Sequence, residues 1–426
     1  MPSDTIFALA SGRPPAAIGL IRVSGPLAHA AGRRLAGTLP GPRRAALRPL
    51  RDAAGHLLDT ALVLRFDAPA SATGENSVEL HCHGGRAVVD AVLAALAALD
   101  GLRLAEPGEF TRRAFEHGRI DLTEAEGLAD LLEAETESQR RAALLRAEGG
   151  LRRQIAAWQD VLLGLSARAE AAIDYVDDDD LGADEGLARD CGTLAAELSE
   201  WLARPRAEPL RDGVRIVVAG PPNSGKSSLV NTLAGSDRAI VSAIPGTTRD
   251  HIEVPLALAG VPILLVDTAG LRESDELVER IGVARALGQI EDADVLLWLG
   301  EPGDAPPHPR RILLHPRCDL PDRERAPTGT LELSSATGTG VAELMEKLTA
   351  AARSLLPAED AIALNRRQAE HLVAARAALK SAAKTENIVL AAEWLRQARD
   401  EFDRLTGRSG VEDMLDALFG RFCLGK

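Results

Sequence analysis

The residues with the clearest chemistry form a glycine-rich loop at 220–227, whose sequence GPPNSGKS fits the pattern GxxxxGK[ST]. The loop follows the apolar run 214–219, and a strand leading into such a loop lets backbone N–H groups converge on phosphate oxygens. The ammonium of Lys226 would reach the β- and γ-phosphates, and the hydroxyl of Ser227 would bind Mg²⁺. Only 5 of the 49 basic residues are lysines, so a lysine here is notable. The loop predicts binding of a nucleoside triphosphate.

Two further motifs follow in the order typical of a GTPase. In the first, residues 244–250 (IPGTTRD), Thr248 would sense the γ-phosphate and complete the Mg²⁺ shell. The second, DTAG, begins at Asp267 after an apolar run; Asp267 would hold Mg²⁺, and the N–H of Gly270 would meet the γ-phosphate. Each short motif alone also suits an ordinary turn. The ordered set predicts a G domain.

The group that positions the attacking water is less evident. Leu271 stands where Ras-like GTPases carry glutamine, and its side chain neither donates nor accepts a hydrogen bond. Asn223, inside the loop, is typical of a dimerising subclass of GTPases in which such an Asn helps to hold a monovalent cation. Glu279 lies in the acidic stretch 273–279 and is a candidate to orient water, although solvated surface charge is the simpler interpretation.

The base-recognition motif departs from the NKxD of most GTPases, because residues 316–319 read PRCD. Asp319 keeps the carboxylate that accepts hydrogen bonds from guanine, but Pro316 has neither a side-chain amide nor an N–H group. Arg317 could still stack on the base. We predict a guanine preference that is weakened, together with weaker nucleotide affinity. A later tripeptide fits the last guanine-contacting loop: Ser334, Ser335 and Ala336.

Composition limits the classes of protein. With 426 residues and 46% hydrophobic content, the chain can build two or three domains. It has no apolar run near the roughly 18 residues of a membrane span and no signal-peptide pattern, so we expect a soluble, cytoplasmic protein with no membrane contact. The four cysteines form no CxxC pair or metal-ligand spacing, which fits reduced thiols. His81-Cys82-His83 is a weak metal motif, because successive strand residues face opposite ways.

Charge is unevenly distributed along the chain. The net charge of −14 argues against a general nucleic-acid binder. Residues 1–118, however, carry 13 arginines and 11 acids, whereas the remainder carries 36 basic and 52 acidic residues. Any contact with RNA should therefore be local and salt-sensitive.

The elements that would position these residues form a multidomain chain of α+β and α/β parts. Residues 1–118 have short β-branched runs and one helix at 86–99, which indicates an α+β domain. Residues 119–210 and 358–426 are mainly helical, with a predicted capping box from Thr123 to Glu126. Residues 211–357 would form a Ras-like P-loop G domain with a doubly wound sheet. Helices on both sides suggest that the G domain is inserted into one helical domain; two separate bundles are the alternative.

With these motifs in hand, the whole chain resembles the MnmE (TrmE) family of tRNA-modification GTPases. The similarity extends from the N-terminal domain through the GTPase motifs to the end of the chain. It is carried by residues 4–6 (DTI), 20–25 (LIRVSG), 79–85 (ELHCHGG), 103–111 (RLAEPGEFT), 120–122 (IDL), the GTPase motifs and 423–426 (CLGK).

The resemblance implies an N-terminal domain that dimerises and binds a tetrahydrofolate one-carbon derivative, either 5-formyl- or methylene-tetrahydrofolate. It implies a heterotetramer with the flavoprotein MnmG, which alone carries FAD. Together they would add an aminomethyl or carboxymethylaminomethyl group to C5 of the wobble uridine of certain tRNAs. The implied folate-binding residues are Arg22, Glu79, Arg119 and Lys426, although position 119 is often lysine in the family. Cys423 could act as a nucleophile or proton-transfer group, or be a buried small residue.

For the G domain the resemblance implies a GTP hydrolase activated by K⁺, with two G domains joined face to face. Ser227 and Thr248 would ligate Mg²⁺, and Glu279 would act in hydrolysis. The K⁺ ion would be held by Asn223, Ser242, Ile244 and Thr247. The implied GTP-binding residues are Asn223, Ser224, Gly225, Lys226, Ser227, Ser228, Ser242, Ala243, Ile244, Pro245, Gly246, Thr247, Thr248, Asp267, Thr268, Ala269, Gly270, Asp319, Ser334, Ser335 and Ala336.

Two other functions share part of this pattern. A ribosome-assembly or translation GTPase would have the loop and DTAG, but it gives no reason for the N-terminal motifs or for CLGK. A folate-dependent aminomethyltransferase that acquired a nucleotide domain is the second. Loss of wobble-uridine modification in a deletion strain would distinguish the tRNA-modification GTPase from both alternatives.

Overall fold

The described part of the chain contains two β-sheets, one in each of the two units into which the chain divides. The first unit comprises residues 1–129, 151–153 and 403–426, and the second comprises residues 130–150 and 154–402. The computed structural model describes residues 4–174, 185–235, 239–241, 252–267, 288–321, 323–358, 361–408, 412–420, 422 and 425.

The first unit has a six-stranded sheet in the order β3-β4-β5-β2-β1-β6. All neighbouring pairs are antiparallel except β1 and β6. Its strands are β1 (Thr5–Leu9), β2 (Ile18–Ser24), β3 (Ala45–Arg51), β4 (Leu57–Phe66), β5 (Ser77–His83) and β6 (Leu102–Leu104). The predicted α+β character of this part is confirmed.

One face of this sheet is fully packed, and the other is not. Alternate strand residues such as Ile21 and Val63 are buried beneath helices α1 (Ala28–Ala36) and α2 (Arg86–Ala97). On the opposite face, helix α3 (Glu109–Glu116) covers the β1 end through Phe110. Leu47 and Leu62 lie directly opposite each other in β3 and β4 and remain 63% and 38% exposed. The second face is therefore open over β3 and β4.

A buried arginine joins the start of the chain to α3. The Arg113 side chain is 1% exposed and contacts Asp4, Glu75 and Glu109, with N–O distances of 2.9, 3.2 and 2.9 Å. Arg103 also pairs with Glu109, at 2.6 Å. Since a buried charge is tolerated only when it is paired and hydrogen-bonded, each member of this network depends on the others.

Replacing Arg113 with methionine is expected to lower the free energy of unfolding by about 3–5 kcal/mol, because it leaves acidic groups without their buried partner. Urea denaturation followed by circular dichroism checks this. Arg140→Met is the control, since Arg140 makes an exposed pair with Glu137 and should matter little. Equal losses in the two variants would contradict the importance of the network.

The same network predicts a loss of stability in acid. Burial raises the pKa of Glu109, but hydrogen bonds from Arg103, the backbone of Glu106 and Arg113 outweigh it and hold the pKa below its ordinary value of 4.5. A carboxyl group with a depressed folded pKa contributes stability above its unfolded pKa and loses it as pH falls. Wild-type stability should therefore decline below about pH 4.5, and less steeply in Arg113→Met, as pH-dependent denaturation would show.

The second unit contains a seven-stranded mixed sheet in the order β13-β12-β11-β7-β10-β9-β8. Strands β13, β12, β11, β7 and β10 are mutually parallel, and β9 is antiparallel to both β10 and β8. The strands are β7 (Val214–Ala219), β8 (Ala239–Val241), β9 (Ile252–Leu258), β10 (Val261–Asp267), β11 (Val295–Trp298), β12 (Arg311–Pro316) and β13 (Leu331–Leu333).

Helices pack on this sheet and continue on both sides of it in sequence. Helices α9 (Lys226–Ala234) and α10 (Val341–Leu355) cover one face, and Ile290 and Ala293 pack against the other. The doubly wound arrangement stays a prediction, because residues 268–287 lie outside the described part. The other helices among the described residues are α4 (Leu122–Glu133), α5 (Glu137–Ala147), α6 (Gly150–Asp174), α7 (Glu185–Leu202), α8 (Glu208–Arg211), α11 (Arg366–Ala382), α12 (Ile388–Thr406) and α13 (Glu412–Phe419).

Helices from before and after the mixed sheet pack together. Helix α11 contacts α7. The rings of Trp158 and Phe402 are stacked with centroids 6.0 Å apart, and Trp201 meets Trp158 edge-on at 5.2 Å. These contacts agree with one helical domain interrupted by the G domain. The boundaries 119–210, 211–357 and 358–426 remain predictions. Within the described residues, no helix is long and apolar enough to cross a membrane.

The predicted capping box from Thr123 to Glu126 is wrong. Helix α4 begins at Leu122. Its capping pair is Asp121 and Glu124, each of which accepts a hydrogen bond from the other's backbone N–H, at 2.9 and 2.8 Å. The Thr123 hydroxyl instead donates to the Asp121 carboxylate. Aspartate can fill the same role as the Ser or Thr of the standard pattern, so the helix starts earlier than the pattern indicates.

Candidate nucleotide-binding site

The glycine-rich loop lies between β7 and α9, and three of its residues have positive φ. These are Gly220 at 154°, Asn223 at 57° and Gly225 at 98°. A Cβ at Gly220 would lie 3.2 Å from the carbonyl carbon of Leu299, a tight contact, and the φ of this residue is one that side-chain-bearing residues rarely adopt. The buried Oγ of Ser224 has no hydrogen-bond partner among the described residues. An unsatisfied hydroxyl beside the N-terminus of α9 fits an anionic ligand such as a phosphate.

The loop encloses the amino group of Lys226. This side chain is 7% exposed, and its Nζ donates to the carbonyls of Gly220 at 3.0 Å and Pro221 at 2.8 Å. Burial lowers the pKa of Lys226, and the nearby Asp267 carboxylate opposes that shift. An ammonium has three N–H donors, so these two contacts leave one for a phosphate oxygen.

Oxygen ligands suited to Mg²⁺ meet at the ends of β10 and the loop. Ser227 Oγ donates to Asp267 Oδ2 at 2.7 Å, and the Asp267 side chain is buried. A hydroxyl and a carboxylate fit a hard cation that keeps several waters and also binds substrate phosphates. The described residues contain no cluster of three or more His, Cys, Asp or Glu residues that could hold a metal.

A cavity of about 650 Å³ extends from the loop to the predicted base-recognition residues. Ser334 Oγ accepts hydrogen bonds from the N–H groups of Ala336 and Thr337, which fixes the tripeptide loop at one wall. This volume is ample for a small-molecule ligand. Seven of the predicted GTP-binding residues line this cavity together, and their binding of GTP stays a prediction: Ser224, Gly225, Ser228, Asp319, Ser334, Ser335 and Ala336.

Arg317 makes a contact that the sequence did not indicate. Its Nη2 donates to the carbonyl oxygen of Asn223 at 2.6 Å. Arg317 also has a left-handed backbone, with φ at 59°, and it lines the cavity beside Pro316. We predicted that Arg317 could stack on the base; the structure shows its guanidinium bound to the glycine-rich loop. This contact ties the base-recognition segment to the loop, and the only signal for it is the basic residue at position 317.

Several predicted residues of this site lie outside the described part of the chain, and their roles stay predictions. They are Ser242, Ala243, Ile244, Pro245, Gly246, Thr247, Thr248, Thr268, Ala269, Gly270 and Glu279.

A second cluster of polar side chains lies on the open face of the first unit's sheet. Arg22 and Glu79 are paired in register on β2 and β5, with Arg22 Nη2 2.9 Å from Glu79 Oε1. The Arg22 guanidinium also lies over the ring of Phe110, 5.7 Å from its centroid. His81 Nε2 is buried, 3.6 Å from Glu79 Oε2, and has no hydrogen-bond partner among the described residues. His81 was not predicted to join Arg22 and Glu79. Its position two residues after Glu79 was a signal, because such residues lie on the same face of a strand.

Of the other two predicted folate residues, the structure describes only Arg119. Arg119 is exposed beside Gly74. Cys423 and Lys426 lie outside the described residues. Gly425 packs against the carbonyl of Leu9, whose neighbour Ala10 pairs with Leu20 on the strand that carries Arg22.

Burial raises the pKa of two of the thiols. Cys82, Cys191 and Cys318 are free, and the first two are buried. Burial, with a smaller contribution from Asp59, raises the pKa of Cys82 to about 12. Burial raises the pKa of Cys191 to about 11. These two side chains are therefore poor nucleophiles near neutral pH.

Two family models match nearly the whole chain. The model of the GTP-binding protein TrmE N-terminus matches residues 5–119. The model of the MnmE helical domain matches residues 122–423.

Relatives of known name match over their full lengths. The chain is 54% identical over 436 residues to a protein of Novosphingobium aromaticivorans named tRNA modification GTPase MnmE, covering 100% of both chains. It is 53% identical over 427 residues to one of the same name from Erythrobacter litoralis, covering 99% of this chain and 100% of the relative. Among solved structures, the G domain of the T. maritima FeoB iron transporter is 27% identical, covering 33% of this chain and 98% of that chain, with a TM-score of 0.24.

Proposed function

The chain belongs to the MnmE family of tRNA modification GTPases, and from this premise we propose that it hydrolyses GTP in the course of modifying the wobble uridine of certain tRNAs. The proposal of GTP hydrolysis rests on one observation: Lys226, Ser227 and Asp267 lie together at one strand–loop–helix junction. The cavity beside it holds Asp319 and Ser334. Phosphate and base sites are thus adjacent, as a nucleoside triphosphate requires.

For hydrolysis, the buried ammonium of Lys226 supplies fixed positive charge toward the β- and γ-phosphates. Ser227 and Asp267 would hold Mg²⁺, which neutralises charge developing on the phosphates. The N-terminal N–H groups of α9 have no partners within the helix and point toward the same region. We assign Glu279 to the orientation of water and Thr248 to the Mg²⁺ shell.

We further propose that K⁺ activates hydrolysis. Asn223 would bind the ion together with Ser242, Ile244 and Thr247. The support from the structure is limited to Asn223, whose left-handed backbone is held by Arg317 through the Asn223 carbonyl. That contact fixes one predicted ligand of the ion within the loop.

In the first unit, we propose that the open face around Arg22, Glu79 and His81 binds the tetrahydrofolate one-carbon carrier. The Glu79 carboxylate can accept hydrogen bonds from pterin N–H groups, and the Arg22 guanidinium, 2.9 Å away, can hold that carboxylate in place. His81 Nε2, which makes no hydrogen bond among the described residues, is a further polar group for the ligand. Lys426 and Arg119 would complete the site, and Cys423 would act in the modification chemistry.

A homodimer through this domain completes the proposal. Leu47 and Leu62 form an exposed cross-strand pair on the same open face, and a second copy would bury them. MnmG would join as the flavoprotein partner and supply FAD. We place the reaction in the cytoplasm, in accord with the free thiols of the described cysteines.

Closure of the G domain would reach the modification site through the helical domain. Within the second unit, helix α5 contacts the mixed-sheet region: Ser138 donates to the Gly260 carbonyl at 3.1 Å, and Gln139 donates to the Arg211 carbonyl at 3.2 Å. These contacts support a mechanical connection between nucleotide state and helix position.

The GTPase proposal is tested by measuring hydrolysis in K⁺ and in Na⁺ buffer, each with and without a large excess of ATP. We expect faster hydrolysis in K⁺ and at most partial suppression by ATP, because Asp319 would still recognise guanine while Pro316 weakens that preference. We also expect weaker affinity for GTP than in typical switch GTPases, since Pro316 contributes no amide. Complete suppression by ATP would mean that guanine selection is lost, and equal rates in both salts would remove the role assigned to K⁺.

A further inference from the structure

The positive charge of the N-terminal domain is concentrated in one segment. Residues 28–51 contain six arginines and no acid, whereas the rest of residues 1–118 contains seven arginines and eleven acids. We call these six arginines the arginine strip. Its members are Arg33, Arg34, Arg43, Arg44, Arg48 and Arg51.

The fold places the strip along one edge of the six-stranded sheet. Strand β3 is the edge strand, and helix α1 packs beside it. Arg33 and Arg34 lie in the last turn of α1, and Arg48 Nε donates to the Thr38 carbonyl just beyond that helix. Arg44 precedes β3 and Arg51 ends it, so the strip runs for about 20 Å at the usual rise of a strand.

The strip arginines have no acidic partners in the described part of the chain. Elsewhere in the same unit, Arg22, Arg65 and Arg113 each pair with a carboxylate. The strip side chains that do make hydrogen bonds use backbone carbonyls: those of Ala70, Thr38, Leu47 and Gly55. Five of the six arginines are exposed, and Arg48 is half-buried. Their positive charge is therefore available to a binding partner outside the domain.

Local structure explains only part of this pattern. Cations in the last turn of α1 favour its dipole, and charge on an edge strand discourages pairing with other strands. One or two arginines would be enough to interact with the helix dipole or to protect the edge strand. Arg43 has a local role as well, since it donates to the Ala70 carbonyl and lies over the ring of Phe66, 5.9 Å from its centroid. None of these purposes explains Arg44, nor the absence of any acid over 24 residues of a chain whose net charge is −14.

We propose that the arginine strip binds the phosphate backbone of tRNA. Guanidinium groups match phosphate oxygens with paired N–H donors, and arginines held by one carbonyl bond keep other donors free. The inference rests on the proposed function for the identity of the RNA. Since phosphate contacts position a nucleic acid without reading its sequence, the strip should bind different tRNAs alike.

The test compares tRNA binding by the full-length wild-type chain and by the triple variant Arg33→Glu, Arg34→Glu, Arg44→Glu, across a series of KCl concentrations. These three side chains are exposed and make no hydrogen bond or ion pair within the described residues, so the fold should survive. We expect affinity to fall by at least about 10-fold near 0.1 M salt, with a shallower dependence on salt. The matched lysine variant at the same positions should retain binding.

The control changes the same amount of charge elsewhere: Lys380→Glu, Lys384→Glu, Arg399→Glu, three exposed residues of the second unit. An equal loss in the control would show that net charge alone decides binding, and it would overturn the proposal. Unchanged binding in the strip variant would also overturn it. If the strip variant instead lost binding to MnmG with tRNA affinity intact, the strip would be a protein interface. GTP hydrolysis, measured in parallel, reports separately on the proposed function and should be the same in all four proteins.

Discussion

Replacing Lys226 with alanine is expected to lower kcat for GTP hydrolysis by about 100- to 1,000-fold. The substitution removes a buried positive charge that the loop carbonyls of Gly220 and Pro221 hold in place. The other donors of the loop are neutral N–H groups, and the Arg317 guanidinium that lines the cavity is bound to the Asn223 carbonyl. Single-turnover hydrolysis with saturating GTP separates this effect on the chemical step from weaker binding.

Lys347→Ala is the matched control for this prediction. Lys347 lies on α10 of the same domain and makes an exposed pair with Glu343 at 2.9 Å. Its loss should leave hydrolysis near the wild-type rate. If Lys226→Ala kept more than about a tenth of the wild-type rate, the glycine-rich loop would not be the hydrolytic site described here.

Replacing Glu79 with alanine is expected to weaken binding of 5-formyltetrahydrofolate by about 100-fold. The variant removes the acceptor for pterin N–H groups and leaves the Arg22 guanidinium over Phe110 without its carboxylate partner. Titration calorimetry measures the affinity. Modification of tRNA should fall with it, while GTP hydrolysis, which uses the other unit, should persist.

Two further variants separate charge from shape. Glu79→Gln keeps the size of the side chain and removes the charge, so affinity intermediate between wild type and alanine would show that ionisation matters. Glu116→Ala removes an acid of the same domain whose partner is Arg112, and it should bind the ligand normally. Unchanged affinity in Glu79→Ala would place the one-carbon carrier elsewhere.

The sequence predicted well those elements whose signal is local. The apolar run 214–219 became β7 with the same bounds, because a central parallel strand is buried on both faces and needs a continuous hydrophobic stretch. The loop that follows it and the positions of Asp267 and Asp319 were likewise evident from their motifs. Phosphate-binding geometry depends on a few adjacent residues, so it can be recognised from a short sequence motif.

Features formed between distant residues were not predictable in this way. Arg317 and Asn223 are 94 positions apart, and nothing near either residue indicates that they meet. Arg113 reaches Asp4 across 109 positions. The open face of the first sheet depends on strand order, which hydrophobic periodicity does not determine. The start of α4 was predicted wrongly for a different reason. Several residue types can cap a helix, and the N-cap residue is Asp121 instead of Thr123.

The nucleoside content of tRNA shows whether this GTPase acts in wobble-uridine modification. Total tRNA from a strain lacking this gene would be digested and analysed by mass spectrometry, with and without a plasmid encoding the wild-type chain or Lys226→Ala. We predict that the deletion loses the aminomethyl-type modification of C5, that the wild-type chain restores it and that Lys226→Ala does not. Full modification in the deletion strain would contradict the account.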